Sequence, residues 1–246
     1  MCGNFFREKF SPVSVCFFLC SFLFTACGLD TLYYLEPPTS SREIIDNNDR
    51  ERDVFVFTTG DNSEIGSDFI FQGTQIYYKI FGSKEAAENS YSQISSSNSS
   101  SDISEAANSI INRHKYVSLI AEGTNDIPFI KDNNVAVEIR LNSYLPEYKR
   151  GIKINGVTRY DPKRFHTEGS KKVGFEFSKT KDPDNNPVPK IGDEDVSAEA
   201  SSSSDCNYWY VDVWAFSQGR DNDYSYSYSR ALHLGCIKIS VSEYDN

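Results

Sequence analysis

The run Tyr208-Trp209-Tyr210-Val211-Asp212-Val213-Trp214-Ala215-Phe216-Ser217 decides the fold class. Its aromatic and β-branched side chains suit a pleated surface, and no Gly or Pro interrupts it. A second strand-like run, Ser229 to Val241, follows the polar segment Gly219-Arg220-Asp221-Asn222-Asp223, so the two read as a long antiparallel hairpin. Cys206 and Cys236 are symmetric about Asp221 and would face each other across a hairpin folded there. Within the same segment, Tyr224, Tyr226 and Tyr228 alternate with serines. At a period of two their rings would project from one face, as a row able to stack on a sugar or anchor a protein partner, or simply packed along a hairpin edge. Fifteen Tyr, 17 Phe and a single Met extend the same β preference to the whole chain.

Working back toward the amino terminus, Thr74 to Phe81 alternates Ile76, Tyr78 and Ile80 with Gln75, Tyr77 and Lys79 between Gly73 and Gly82. Asp53 to Thr59 is another β-rich run, and Leu32 to Leu35 reads as a short strand stopped by Pro37 and Pro38. From Ser83 the period changes: Ala87, Tyr91 and Ile94 lie on one face of a helix. Ser95 to Ser101 reads as a loop. Asp102 and Glu105 then resemble a capping box opening a second helix through about Arg113, with Ile103, Ala106, Ala107, Ile110 and Ile111 on its apolar side. His114 would end that helix, where a partly protonated imidazole suits the carbonyl end. Strand character returns at 116–120, 135–141, 151–157 and 172–177, with Pro128, Pro146, Pro162 and Pro183 in the gaps, and 181–205 reads as a long exposed loop.

The first 27 residues are an export signal. Arg7 and Lys9 give a positive start, Val13 to Ala26 is apolar, and small residues precede Cys27. The segment is too short for a stable membrane span. Removing residues 1–26 leaves about 220 residues, enough for one large or two small domains, and 27–246 reads as a single domain. The whole chain carries a formal charge of -10. That balance argues against a nucleic-acid partner, because phosphate binding needs clustered Lys and Arg. Cys2, Cys16 and Cys20 leave with the signal, and export to an oxidising space favours a Cys206–Cys236 disulfide, two buried thiols in a reducing periplasm being the other reading.

Chemistry is sparse. His114, His166 and His233 lie on different segments with no metal-ligand spacing, and there is no nucleophile elbow or phosphate loop, so no catalytic residue is assigned and no enzyme activity is expected. Acidic groups occur at Asp182, Asp184, Asn185 and Asn186, at Asp193, Glu194 and Asp195, and at Asp221, Asn222 and Asp223. Their oxygens suit calcium, but none repeats the spaced calcium loop, and turns use the same residues. No cofactor or metal is therefore assigned. An exported hydrolase using dispersed carboxylates stays open as the alternative, since spacing among 35 acidic residues carries no information.

Three resemblances add to this reading. Phe24-Thr25-Ala26-Cys27 resembles the lipobox of bacterial lipoproteins, which implies that the Cys27 thiol is acylated and becomes the first mature residue. An ordinary secretory signal, with Cys27 merely near the mature start, is the other reading. Tyr208 to Ser217 resembles the penultimate strand of fibronectin type III and related immunoglobulin-like sandwiches, and Gln75 to Phe81 their third. This implies a mainly β sandwich with an inserted α+β segment at about 83–205. Cys27 to Pro38, Tyr77-Tyr78-Lys79-Ile80 and Gly235 to Ile239 are similar to lipoproteins of treponeme-type spirochaetes. That implies a cell-envelope protein held to a membrane by its lipid and brings no catalytic residues. The export signal and the lack of a catalytic constellation lead to the expectation of a binding or structural role, and the tyrosine row is its candidate surface for a protein or glycan ligand.

Overall fold

Two long runs, Phe69–Phe81 and Tyr208–Asp221, pair antiparallel from Tyr210 opposite Phe81 to Asp221 opposite Phe69, and lie at the centre of one of the two larger sheets. The structure is a computed structural model describing residues 33–40, 44–45, 53–143, 147–165, 167–168, 171–178, 186–198 and 207–241. In chain order the strands are β1 (Ile44–Ile45), β2 (Phe55–Thr58), β3 (Phe69–Phe81), β4 (Val117–Ser118), β5 (Ile120–Glu122), β6 (Ala136–Arg140), β7 (Gly151–Ile154), β8 (Val157–Lys163), β9 (Thr167–Glu168), β10 (Lys171–Lys172), β11 (Phe177–Ser178), β12 (Asn186–Pro187), β13 (Tyr208–Asp221), β14 (Tyr226–Tyr228) and β15 (Leu232–Ser240). Helix α1 is Lys84–Ser97, and α2 is Glu105–Asn108, which runs into a wider π-helical turn at Ser109–Arg113.

One sheet has the order β1-β15-β13-β3-β4, with β14 also on β13; the other is β2-β6-β7-β8-β5. Strands β3, β13 and β15 are neighbours, as are the third, penultimate and last strands of fibronectin-like sandwiches. The sheets face each other over Phe55, Phe57, Val137, Ile139 and Ile152 on one side, and Ile76, Tyr78, Ile80, Val211, Val213 and Ile237 on the other. The alternation of β3 is thus as its sequence implies.

The other face of the β13 sheet is covered as well. Tyr210, Trp214 and Phe216 pack with Ala87, Ile94, Ala106, Ala107 and Ile110 of the two helices, giving a third layer. Strand β13 is therefore buried on both faces, which is why its sequence is apolar almost without interruption.

Several local expectations change. Residues 33–35 are not a strand; the segment is instead held by Asn62, whose Oδ1 accepts from the Glu36 N–H at 2.7 Å, and by the Ser217 hydroxyl, which donates to the Glu36 carbonyl at 2.7 Å. Helix α1 is capped by the Ser83 hydroxyl and continues to Ser97, through part of the expected loop. Asp102 does not cap α2: its carboxylate accepts from the Ser104 N–H, and Ser104 stands at the helix start. The 116–120 run splits between the two sheets, with β4 in one and β5 in the other. Pro162 lies inside β8 rather than in a gap. The inserted segment supplies β5, β6, β7 and β8, four of the five strands of the second sheet, so it completes the sandwich rather than decorating it.

Candidate functional site

A polar cluster under the helices is centred on Asp212, the one charged residue between Tyr208 and Gly219 of β13, whose side chain is 1 % exposed. Register places Lys79 of β3 on one side of it and Cys236 of β15 on the other. A bulge at Gly235, φ 121°, inserts an extra residue into β15. His233 and Cys236, three apart, can therefore both lie on the helix face. The Tyr116 hydroxyl donates to Asp212 Oδ2 at 2.7 Å, and Trp214 Nε1–H donates to the same oxygen at 2.8 Å. His233 Nε2 meets Oδ1 at 2.7 Å. Ser90 of α1 extends the chain, 3.0 Å from the Tyr116 hydroxyl and 3.3 Å from His114 Nδ1, and Lys79 Nζ donates to the His114 carbonyl.

A serine, two histidines and an aspartate in one chain of contacts resemble a hydrolytic triad by composition, but their connectivity differs. In a triad the aspartate orients the histidine that activates the serine. Here Asp212 holds His233 whereas Ser90 contacts His114, and Ser90 is buried on the inner face of α1. Burial, followed by the nearby Asp212 charge, pushes the Tyr116 hydroxyl well above its ordinary pKa, keeping it a neutral donor. Burial, then the positive charges of Lys79 and Arg113, pulls His114 below the usual histidine value. This corrects the expectation of a partly protonated His114: desolvation outweighs the carbonyl end of the helical segment. The cluster's chemistry is to fasten α1 and the π-helical turn to the sheet through polar contacts, His114 Nε2 alone among these side-chain groups being buried without a partner.

A second buried cluster closes the sandwich. Arg164, with a fully buried side chain, donates from Nε to Asp195 Oδ2 at 2.7 Å and from a terminal nitrogen to Oδ1 at 2.8 Å and to Asp193 Oδ2 at 3.0 Å. Tyr78 donates to Asp195 Oδ2 at 2.7 Å and accepts from the Phe165 N–H at 2.7 Å. Burial alone would lower the Arg164 pKa, but the Asp195 contacts hold it raised. Asp193 and Asp195, nominated for calcium, are thus engaged by a guanidinium. The 181–205 loop is corrected in part, since Asp195 is fully buried and Val196 reaches the core. Among the described residues no three His, Cys, Asp or Glu converge as metal ligands.

Cys27, Cys206, His166, Asp182, Asp184 and Asn185 lie outside the described residues. The hairpin centre, however, is corrected. Strands β13 and β15 pair Tyr208 with Ser240 and Asp212 with Cys236, so the residue facing Cys236 is Asp212, and the turn at Asp221 belongs to β14 instead.

The tyrosine row is also partly redrawn. Tyr226 and Tyr228 share a face, with near-parallel rings 6.5 Å apart. Tyr228 is half buried against Phe216, and its backbone N–H and carbonyl bond the Ser104 hydroxyl. Tyr224 leaves the row in a turn at φ 64°, with the Arg220 guanidinium 5.0 Å from its ring centre. Register sets Ile70, Arg220 and Tyr226 side by side on β3, β13 and β14. Ile70 is 49 % exposed, Tyr226 56 % and Tyr224 69 %, which makes this end of the long strands an exposed apolar and aromatic tip. Comparison with protein-family models, curated proteins and solved structures finds no match to this chain.

Proposed function

We propose that the chain is a lipid-anchored protein of the cell envelope, with a binding or structural role rather than a catalytic one. The observation that carries this reading is the apolar export run ending in Phe24-Thr25-Ala26-Cys27, six residues before Tyr33, where the described residues begin. An acylated Cys27 gives the body its hold on a bilayer through its acyl chains. The non-catalytic part rests on the two polar clusters, whose carboxylates are spent on internal partners.

Mass spectrometry of the mature amino terminus from the native host, beside a Cys27→Ala variant, tests the anchor. A Cys27 carrying diacylglycerol, with loss of membrane fractionation in the variant, is the expected result. An unmodified Cys27 overturns it. For the binding role, the purified mature chain is screened against envelope glycans and proteins.

A further inference from the structure

We infer that the tip carrying Ile70, Arg220, Tyr224 and Tyr226 is a membrane-contact surface that sets the orientation of the body on the bilayer, and not a ligand row facing solvent. The inference deepens the anchored reading and rests on it. Its starting point is where the chain leaves the fold. Glu36 is bonded to Ser217 of β13, and three residues earlier Tyr33 stacks on Phe69, ring centres 4.5 Å apart. Phe69 pairs with Asp221 at the end of β3, so the segment leading back to Cys27 departs at the level of the tip. Six residues span at most about 20 Å. A lipid on Cys27 therefore places this end, rather than the opposite end, against the membrane.

The chemistry of the tip suits an interface. Tyr34 is 65 % exposed beside the departing segment, and Ile70, Tyr224 and Tyr226 are exposed on the other face of the same strand ends. Tyrosines with an apolar ring and a polar hydroxyl settle at headgroup depth, as does an arginine lying along aromatic surface. The opposite end of β13, about 40 Å away at the usual rise per residue, offers Tyr208 with Lys238 over its ring. Asp68, Asp221 and Asp223 flank the tip in sequence, which favours zwitterionic over anionic headgroups. Contacts this few would be weak for a free protein, but a short tether raises their effective concentration until they are populated.

The test uses the native lipoprotein in phosphatidylcholine vesicles whose acyl chains are brominated near the headgroup. Single reporters are introduced as Tyr226→Trp, Tyr224→Trp and Tyr208→Trp. Native Trp209 and Trp214 are buried and give a constant background. The expected result is loss of most added emission at positions 226 and 224, with none at 208. A protein that floats with the vesicles but is unquenched at 226 and 224 overturns the orientation, as a solvent-facing ligand row requires, while leaving the anchor intact. A protein that neither floats nor carries a modified Cys27 overturns the anchor and the orientation together.

Discussion

The separate losses of the Asp195 carboxylate and of the Arg164 guanidinium should together destabilise the body far more than their joint removal. Arg164 and Asp195 are fully buried and doubly bonded to each other, and Tyr78 adds a third bond. Breaking such a pair from one side leaves an uncompensated buried charge, at about 3–5 kcal/mol. Asp193, 13 % exposed, stays on the guanidinium and holds Asp195→Ala near the low end of that range. Arg164→Met instead leaves Asp195 facing only Tyr78, nearer the high end. In the double variant Arg164→Met with Asp195→Leu neither fully buried charge remains, Asp193 loses the guanidinium but keeps the Lys190 N–H, and the main remaining cost is the Tyr78 hydroxyl, about 1–3 kcal/mol. The sum of the single losses should therefore exceed the double by more than about 2 kcal/mol, as expected for contacting residues. Urea unfolding reads this well, because Trp209 reports the inter-sheet core and Trp214 the helix-side core. At a slope of about 3 kcal/mol per molar, a loss of about 4 kcal/mol lowers the midpoint by about 1.3 M. Single losses that simply add up to the double would refute the argument that the ion pair holds these charges as a unit.

Three further outcomes are expected. Asp212→Ala should cost about 1–3 kcal/mol, since it strands the Trp214 N–H in the helix-side core and leaves the Tyr116 hydroxyl only Ser90; thermal unfolding checks it. Gly219→Ala should lose roughly 1–3 kcal/mol, because the new Cβ would lie 2.1 Å from the Phe69 ring, and Phe69→Leu should restore part of the loss in the same melt. His114 has a folded pKa below its unfolded 6.5, so the unfolded chain binds the extra proton first. Its contribution should be complete above pH 6.5 and lost as pH falls toward the folded value. His114→Gln should flatten that part of the stability-against-pH curve.

The β content and the alternation of β3 were legible because period two and aromatic composition survive any tertiary context. The helix-face spacing of Ala87, Tyr91 and Ile94 was legible for the same reason. What hid was the pairing. Symmetry about Asp221 was a reasonable guide to a hairpin, but β14 took the turn and a one-residue bulge at Gly235 displaced the partner strand. That bulge also concealed the Asp212–His233 contact, since the sequence shows His233 isolated. A lone aspartate in the run Tyr210 to Phe216 was the available signal of a buried polar centre. Arg164 and Asp195 gave none, lying 31 residues apart in segments read as gap and loop.

Placement of β13 has a consequence for how the body can be made. Val213 pairs with Tyr78, 135 residues earlier, and β13 contributes to both the inter-sheet and the helix-side cores. Any chain emerges amino terminus first, whether from a ribosome or through a membrane pore. Strand β3 must therefore wait, the edge that takes β13 unpaired and Tyr77 without Phe216 against it, until residues Tyr208–Asp221 arrive. Loop closure over that separation makes pairing slow. The order of synthesis thus leaves an aggregation-prone nascent interval that a holding chaperone would have to cover.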